Sequence, residues 1–103
     1  MFVVFDLDGT LALIDHRRHF VAGPVKDYRA FFAACDQDLP NWPIINALKA
    51  HWFAAKHEVE IWSGRSDEVR EKTEAWLWLR GIHPSLLTRM RPAGDTTPDH
   101  VLK

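Results

Sequence analysis

Two aspartates one residue apart follow a short apolar run near the start of the chain, in the stretch FVVFDLDGT. Asp6 and Asp8 carry like charges, which repel each other at this spacing. A bound cation stabilises such a pair, and its members can be held in different protonation states to act as acid and base. The pair therefore indicates a site for a metal ion and an anionic group, provided that the fold brings it to an accessible edge.

The elements around this pair alternate between strands and helices. Residues 2–5 form a continuous apolar run, which is typical of a strand in a parallel sheet that is covered on both faces. Two further strands are predicted at residues 59–62 and 86–90, two short stretches that are rich in apolar residues. Alternation of this kind predicts an α/β fold, a three-layer α/β/α arrangement with a parallel Rossmann-like sheet.

Helix starts are marked by residues that cap or open helices. Asp27 and Ser66 are N-cap candidates, Pro43 suits a first turn, and Gly81 suits a helix stop. Another helix start is predicted at residues 97–99, close to the last residue. The segments 9–26 and 36–41 are predicted to be loops, and residues 10–59 leave room for a small cap at most.

The predicted topology brings several polar groups to one edge of the sheet. In open α/β sheets, ligands bind outside the carboxyl ends of the strands. Asp6 ends the first strand, Ser63 ends the second, and Lys103 lies just beyond the loop after the third. A carboxylate pair, a hydroxyl and a cation are therefore expected at the same edge.

Length and composition limit the other possibilities. The 103 residues suit one domain, residues 1–103, and the net charge of −1 gives no global basic field for nucleic acid. The single cysteine, Cys35, excludes an internal disulfide and fits a reducing compartment. No apolar run approaches the about 20 residues that a membrane helix needs, and we expect a cytoplasmic protein without a membrane partner.

The stretch from Asp6 to Thr10, DLDGT, resembles the first signature of the haloacid dehalogenase superfamily of phosphotransferases. Ser63 after its apolar strand is similar to the second signature, and Lys103 is the best match to the third. Arg89 and Arg91 are weaker matches to that cation. Further stretches resemble the phosphatase domain of phage-type polynucleotide kinases and its stand-alone relatives, and they are FFAAC at 31–35, WSGR at 62–65, TEAWL at 73–77 and RPAGD at 91–95.

This resemblance implies a mechanism for the site. Asp6 would attack phosphorus and form an aspartyl-phosphate, and Asp8 would protonate the leaving oxygen and then activate water. Mg²⁺ would be held by Asp6 and by the backbone carbonyl of Asp8. Lys103 would neutralise charge in the transition state. The substrate would be a nucleotide or a nucleic-acid end that carries a 3′-phosphate.

The remaining candidates in the site are assigned to substrate binding. Gly9 allows a tight turn after the strand, next to Thr10. Ser63 and nearby backbone N–H groups, including that of Gly64, would bind a phosphoryl oxygen. Arg65 would hold a second phosphate or the sugar-phosphate backbone of the substrate, and its alternative is a surface charge beside a helix.

The family pattern has a fourth signature, an acidic pair after another strand, which this sequence lacks. Asp95 and Asp99 precede the expected position, and neither follows an apolar strand. Without the family's last strands, residues 2–5 become an exposed apolar edge that invites pairing with another chain. Three explanations stay open: a fragment of a longer phosphatase, an assembly with itself or a partner that completes the sheet, and a catalytically weakened module that binds a partner or a phosphorylated ligand.

Other conspicuous residues have ordinary explanations. His16 and His19 flank Arg17 and Arg18, and we interpret this basic stretch as a solvated loop in preference to a substrate contact. Cys35 is expected to pack in the core. Tryptophans 52, 62 and 76 are also expected in the core, while Trp42 and Trp78 are the candidates for exposure.

Overall fold

The computed structural model describes residues 2–54 and 58–92. In chain order the strands are β1 (Phe2–Asp6), β2 (Ala12–Leu13), β3 (Leu39–Pro40), β4 (Glu58–Ser66) and β5 (Leu87–Arg91). The helices are α1 (His19–Ala22), α2 (Tyr28–Ala33), α3 (Trp42–Phe53) and α4 (Arg70–Leu79). Short 3₁₀ turns lie at Asp15–Arg17, Cys35–Gln37, Asp67–Val69 and Pro84–Leu86.

The central sheet consists of β1, β4 and β5, paired in parallel in that order. The predicted α/β class with a parallel sheet is therefore confirmed. Asp6 lies opposite Trp62 in the register, so Ser63 follows directly beyond the end of β1. Strand β4 extends beyond the predicted segment 59–62. Residues 63–66 belong to it as well, and Ser66 pairs with Arg91 of β5.

The predicted caps form as expected. The Asp27 carboxylate accepts a hydrogen bond from the backbone N–H of Ala30 at the start of α2. The Ser66 hydroxyl accepts one from Glu68, although a 3₁₀ turn precedes α4 here. Pro43 lies in the first turn of α3, and Gly81 follows α4 with a φ of 78°. These local signals mark where the helices begin and where α4 ends.

The two predicted loops contain more structure than expected. β2 and β3 form a small antiparallel sheet in which Ala12 lies opposite Pro40. Asn41 stabilises this small sheet. Its side chain donates a hydrogen bond to the Thr10 carbonyl, and its backbone N–H donates one to the Leu11 carbonyl. Strands of two residues are too short to give a periodic pattern, so the sequence could not indicate them. Residues 14–38 emerge between them as an insert.

The apolar core lies on one face of the central sheet. Buried residues from α3 and α4 form a single cluster with Val59 and Ile61 of β4. Both crossovers advance the sheet in the same direction, and right-handed connections then place both helices on the same face. Trp76 is buried there and Trp52 packs against the cluster, as predicted, while Trp42 and Trp78 are exposed.

The opposite face of the sheet, which we call the outer face, carries Phe2, Val4, Glu60, Trp62 and Arg89. Phe2 is 49% and Val4 38% exposed, because α3 and α4 pack on the other face. Trp62 was expected in the core, but it is half-buried on the outer face beneath the Arg89 guanidinium. β1 is an edge strand within the described part of the sheet, which agrees with the predicted apolar edge.

The second helical layer of the predicted three-layer arrangement is not formed by residues 2–54 and 58–92. The helix start predicted at residues 97–99 lies outside the described residues. Among the described helices, none combines the length and the apolar character needed to cross a membrane.

Candidate functional site

The carboxyl end of β1 forms a tight turn that presents both aspartates. The Leu7 carbonyl accepts hydrogen bonds from Leu11 at 3.0 Å and Ala12 at 2.9 Å, and both of these residues are buried. Gly9 has a φ of 79°, a conformation that other residues rarely adopt. Asp6 is exposed at the end of the strand, and one of its carboxylate oxygens accepts the backbone N–H of Leu7 at 3.0 Å.

Asp8 is held by two arginines from distant parts of the chain. Its Oδ1 accepts hydrogen bonds from Arg17 Nη2 at 3.0 Å and from Arg65 Nε at 2.8 Å. Both arginine side chains are fully buried, while the Asp8 side chain is 22% exposed. Charge-assisted hydrogen bonds of this kind are stronger than neutral ones and fix the orientation of the carboxylate.

A second carboxylate, Asp38, completes a cluster of four charges beneath Asp8. Arg17 binds Asp38 in a bidentate manner through Nε and Nη2, each at 2.7 Å. Arg65 Nη2 donates to Asp38 Oδ2 at 2.9 Å. We call Asp8, Arg17, Asp38 and Arg65 the arginine cluster. When both carboxyl groups are ionised, the two positive and two negative charges of this cluster balance, as buried charges require.

The surroundings fix the two guanidinium groups further. Arg17 Nη1 donates to the Phe31 carbonyl at 3.2 Å, and the guanidinium lies over the Phe31 ring. Arg65 Nη1 donates to Thr73 Oγ1 of α4 at 3.0 Å. Burial lowers the pKa of Arg17, but the hydrogen bond to Asp38 and the charges of Asp8 and Asp38 outweigh this and raise the pKa above its ordinary value. Arg17 is therefore charged at any physiological pH.

Cys35 packs beside the arginine cluster and is fully buried, as predicted. Burial raises the pKa of its thiol, although the charges of Arg65 and Arg17 act in the opposite direction. A buried thiol with a raised pKa is a poor nucleophile, because the thiolate is the reactive form. The residue therefore has a packing role in this fold.

Ser63 lies at the same sheet edge as Asp6, beyond the end of β1. It is buried, and its hydroxyl accepts the backbone N–H of Arg65 at 3.0 Å. The neighbouring Gly64 carbonyl accepts a hydrogen bond from Arg91 Nε at 3.1 Å. The Arg91 side chain therefore lies beside the carboxyl-terminal end of β4, whereas the Arg89 side chain stacks on Trp62 on the outer face. Of the two weaker cation candidates, Arg91 is thus the one whose side chain binds next to Ser63 in the described residues.

Other predicted site residues fall into two groups. Thr10 lies in the turn after β1, where its carbonyl is bound by Asn41. Lys103, Asp95 and Asp99 lie outside the described residues. The structure therefore brings Asp6, Asp8, Ser63 and Arg65 to one edge of the sheet, and the role of Lys103 stays a prediction.

The interpretation of residues 16–19 as a solvated loop is wrong for Arg17, which is fully buried. It holds for Arg18, whose side chain is 61% exposed beside Asp15. Asp38 was also missed, because it lies in a segment predicted to be a loop. Arg65 is not a surface charge, since it is fully buried and bound to Asp8 and Asp38. No local pattern distinguishes Arg17 from Arg18, because the partners of Arg17 come from remote segments.

Comparisons with known proteins identify a family and two structures that this chain resembles. The chain matches the family model described as the polynucleotide kinase PNKP phosphatase domain over residues 1–103. A structure described as "Structure of Pnkp1/Rnl/Hen1 complex" shares 33% identity and a TM-score of 0.73, covering 99% of this chain and 31% of that chain. Another, "Structure of the Pnkp1/Rnl/Hen1 RNA repair complex", shares 32% identity and a TM-score of 0.74, covering 97% of this chain and 28% of that one.

No curated protein sequence matches the chain significantly. The chain spans less than a third of the two structural relatives. The match to the family model nevertheless extends over the whole sequence, and the fold and the DLDGT turn agree with it. The chain therefore belongs to the family of polynucleotide kinase phosphatase domains, which are of the haloacid dehalogenase type.

Proposed function

We propose that this chain is a Mg²⁺-dependent phosphomonoester hydrolase that forms an aspartyl-phosphate on Asp6. The observation that carries the proposal is the pair of aspartates at the end of β1, one exposed and one held by two buried arginines. Membership of a phosphatase-domain family supports the reaction class. The different surroundings of the two carboxylates support different roles for them.

In the first step, an Asp6 carboxylate oxygen bonds to phosphorus and the bond from phosphorus to the leaving oxygen breaks. Asp8 gives its proton to that leaving oxygen. In the second step, the Asp8 carboxylate takes a proton from water, whose oxygen attacks phosphorus. Inorganic phosphate leaves, and Asp6 and protonated Asp8 are regenerated. Arg17 and Arg65 both bind Asp8 Oδ1, and we therefore assign the proton transfer to the other carboxylate oxygen.

We propose that a magnesium ion is held by donors at the end of β1. The proposed ligands are Asp6 and Asp8, the latter through its backbone carbonyl by analogy with the family. Residues 2–54 and 58–92 contain no group of three or more His, Cys, Asp or Glu side chains that could hold a metal. Magnesium accepts such a sparse set, since it prefers one or two carboxylates and keeps water or phosphate oxygens. The bound ion would screen the charge of Asp6 from the phosphate.

We propose a nucleotide or a nucleic-acid 3′-phosphate end as the substrate. The support is the family description and the RNA repair complex among the structural relatives. Ser63 and the backbone N–H groups around Gly64 would bind a phosphoryl oxygen beside Asp6. Arg65 orients Asp8 in this proposal and no longer reaches a second substrate phosphate, because its three guanidinium nitrogens bind Asp8, Asp38 and Thr73.

Phosphate release from a 3′-phosphorylated oligonucleotide tests the proposal. The assay compares magnesium with a chelator, and adds the 5′-phosphorylated oligonucleotide and a mononucleotide as alternative substrates. We expect magnesium-dependent release that Asp6→Asn abolishes. Asp15→Asn is the matched control, because the Asp15 side chain is 81% exposed and pairs with the exposed Arg18. Absence of magnesium-dependent release, or equal release by Asp6→Asn, would refute the proposal.

A second candidate function is a catalytically weakened module that binds a partner chain. The exposed apolar side chains of β1 at the edge of the described sheet favour it. An edge of this kind offers unpaired backbone groups to another strand. Light scattering combined with the phosphate assay distinguishes the two: a monodisperse and active monomer contradicts the module, and an inactive assembly supports it.

A further inference from the structure

The proposed mechanism assigns no role to His16, although this residue lies close to the arginine cluster. It lies in the 3₁₀ turn that carries Arg17, and its side chain is 38% exposed. Its Nε2 lies 2.6 Å from Oδ1 of the fully buried Asp38. His19, at the other end of the same basic stretch, contacts the Phe20 ring instead. The two histidines therefore differ in their link to the site.

Asp38 receives a complete set of donors only when His16 is included. A carboxylate offers about four lone-pair positions. Three are occupied by arginine nitrogens, two from Arg17 and one from Arg65. The fourth donor is His16 Nε2. Loss of His16 would leave Asp38 Oδ1 with Arg17 Nε as its one remaining donor among the described residues. Because an unfilled position on a buried carboxylate is costly, this oxygen would then take up water or draw Arg17 closer.

Arg17 transmits any such change to Asp8. Its Nη2 is shared between Asp38 Oδ2 at 2.7 Å and Asp8 Oδ1 at 3.0 Å. Nη2 carries two N–H groups, so it can donate to both carboxylates at once. The guanidinium group is rigid, and a movement of Arg17 toward Asp38 Oδ1 would therefore lengthen its bond to Asp8. His16 fills the remaining position on Asp38 Oδ1 and so helps to hold Arg17 where it reaches both carboxylates.

We propose that His16 is a positioning residue for Asp8, acting through Asp38 and Arg17. This inference rests on the proposed function for its effect on catalysis, but its structural part concerns the arginine cluster alone. His16 touches neither Asp6 nor Asp8 in the described contacts, so it has no direct part in the reaction. Its loss should lower kcat and leave KM unchanged.

The kinetic test compares His16→Ala, His16→Gln and the matched control His19→Ala on the oligonucleotide substrate. We expect His16→Ala to lower kcat roughly three- to tenfold, the loss that follows removal of one supporting hydrogen bond. Glutamine presents a donor at a position similar to Nε2, so His16→Gln should restore most of the rate. A wild-type kcat in His16→Ala, a changed KM alone, or equal effects of alanine and glutamine would overturn the inference.

A second measurement does not depend on turnover. The Arg65 Nε–H group donates to Asp8, and its NMR signal reports that contact. We expect this signal to shift in His16→Ala, to return in His16→Gln and to be unchanged in His19→Ala. An unchanged Arg65 signal in His16→Ala would overturn the inference. If the wild-type chain releases no phosphate, the proposed function fails, while this signal still decides whether His16 positions Asp8.

Discussion

The carboxyl end of β1 and the outer face of the same strand differ in how fully the described residues surround them. Beyond the carboxyl end, Asp8 is bound by two buried guanidinium groups that also bind the buried Asp38. On the outer face, Phe2 and Val4 of the same strand stay exposed. The charged groups of the arginine cluster thus find partners within the described residues, whereas the apolar side chains of the outer face are not covered by them. This contrast indicates that the residues orienting Asp8 lie within this chain, whereas the cover of β1 does not come from its described part.

The largest effect is expected from opening the arginine cluster. Arg17→Ala removes one of the two guanidinium groups that bind both Asp8 and Asp38, and breaking a buried ion pair costs about 3–5 kcal/mol. Arg18→Ala is the matched control, because Arg18 is exposed, and surface changes usually stay within about 0.5 kcal/mol. Urea unfolding followed by tryptophan fluorescence measures both. Equal free energies of unfolding for the two variants would contradict a stabilising role for the buried ion pairs of Arg17.

A smaller effect is expected on the outer face. Phe2→Lys combined with Val4→Lys should change the free energy of unfolding by less than about 1 kcal/mol, since both side chains are already exposed. The same change should reduce self-association, because lysines on an edge strand oppose pairing with another chain.

Light scattering over a concentration series provides the measurement for this change. Val25→Lys is its control, since Val25 is 85% exposed but lies outside the sheet. We expect the control to associate like the wild-type chain. Equal association of all three proteins, or a wild-type chain that stays monomeric throughout, would contradict the proposed role of the outer face.

The smallest perturbation uses thiol labelling to compare the two regions. Cys35 lies beside the arginine cluster, and its raised pKa reduces the thiolate fraction at neutral pH. We expect iodoacetamide to modify Cys35 on the order of 100-fold more slowly in the folded chain than in urea. A cysteine in place of Val4, in a Cys35→Ser background, should react almost as fast as in urea. Rapid labelling of Cys35 in the folded chain would show that the cluster region opens readily.

The sequence was informative where the signal is local. The apolar run of β1, the caps at Asp27 and Ser66, and the turn at Gly9 each depend on neighbouring residues, and the structure has them as predicted. The placement of Asp6 and Ser63 at one edge followed from the rule that parallel strands end together. These features rest on backbone geometry, which short stretches of sequence largely determine.

The arginine cluster could not be predicted because its contacts are non-local. Arg17 meets Asp38 across 21 positions of sequence, and Arg65 meets Asp8 across 57. Adjacent arginines such as Arg17 and Arg18 look identical until the insert folds and buries one of them. The outer face shows the opposite case, since Trp62 fitted a core pattern but the described residues supply no layer to cover it.

Trapping of the covalent intermediate tests the central claim, that Asp6 is the nucleophile and Asp8 the acid and base, most directly. In Asp8→Asn, a phosphate ester with a good leaving group needs no proton for the first step, while attack by water on the intermediate has lost its base. Acid quenching and mass spectrometry should then find a phosphate adduct on Asp6 in Asp8→Asn and none in Asp6→Asn. An adduct on another residue, or no adduct while Asp8→Asn still turns over, would contradict the account.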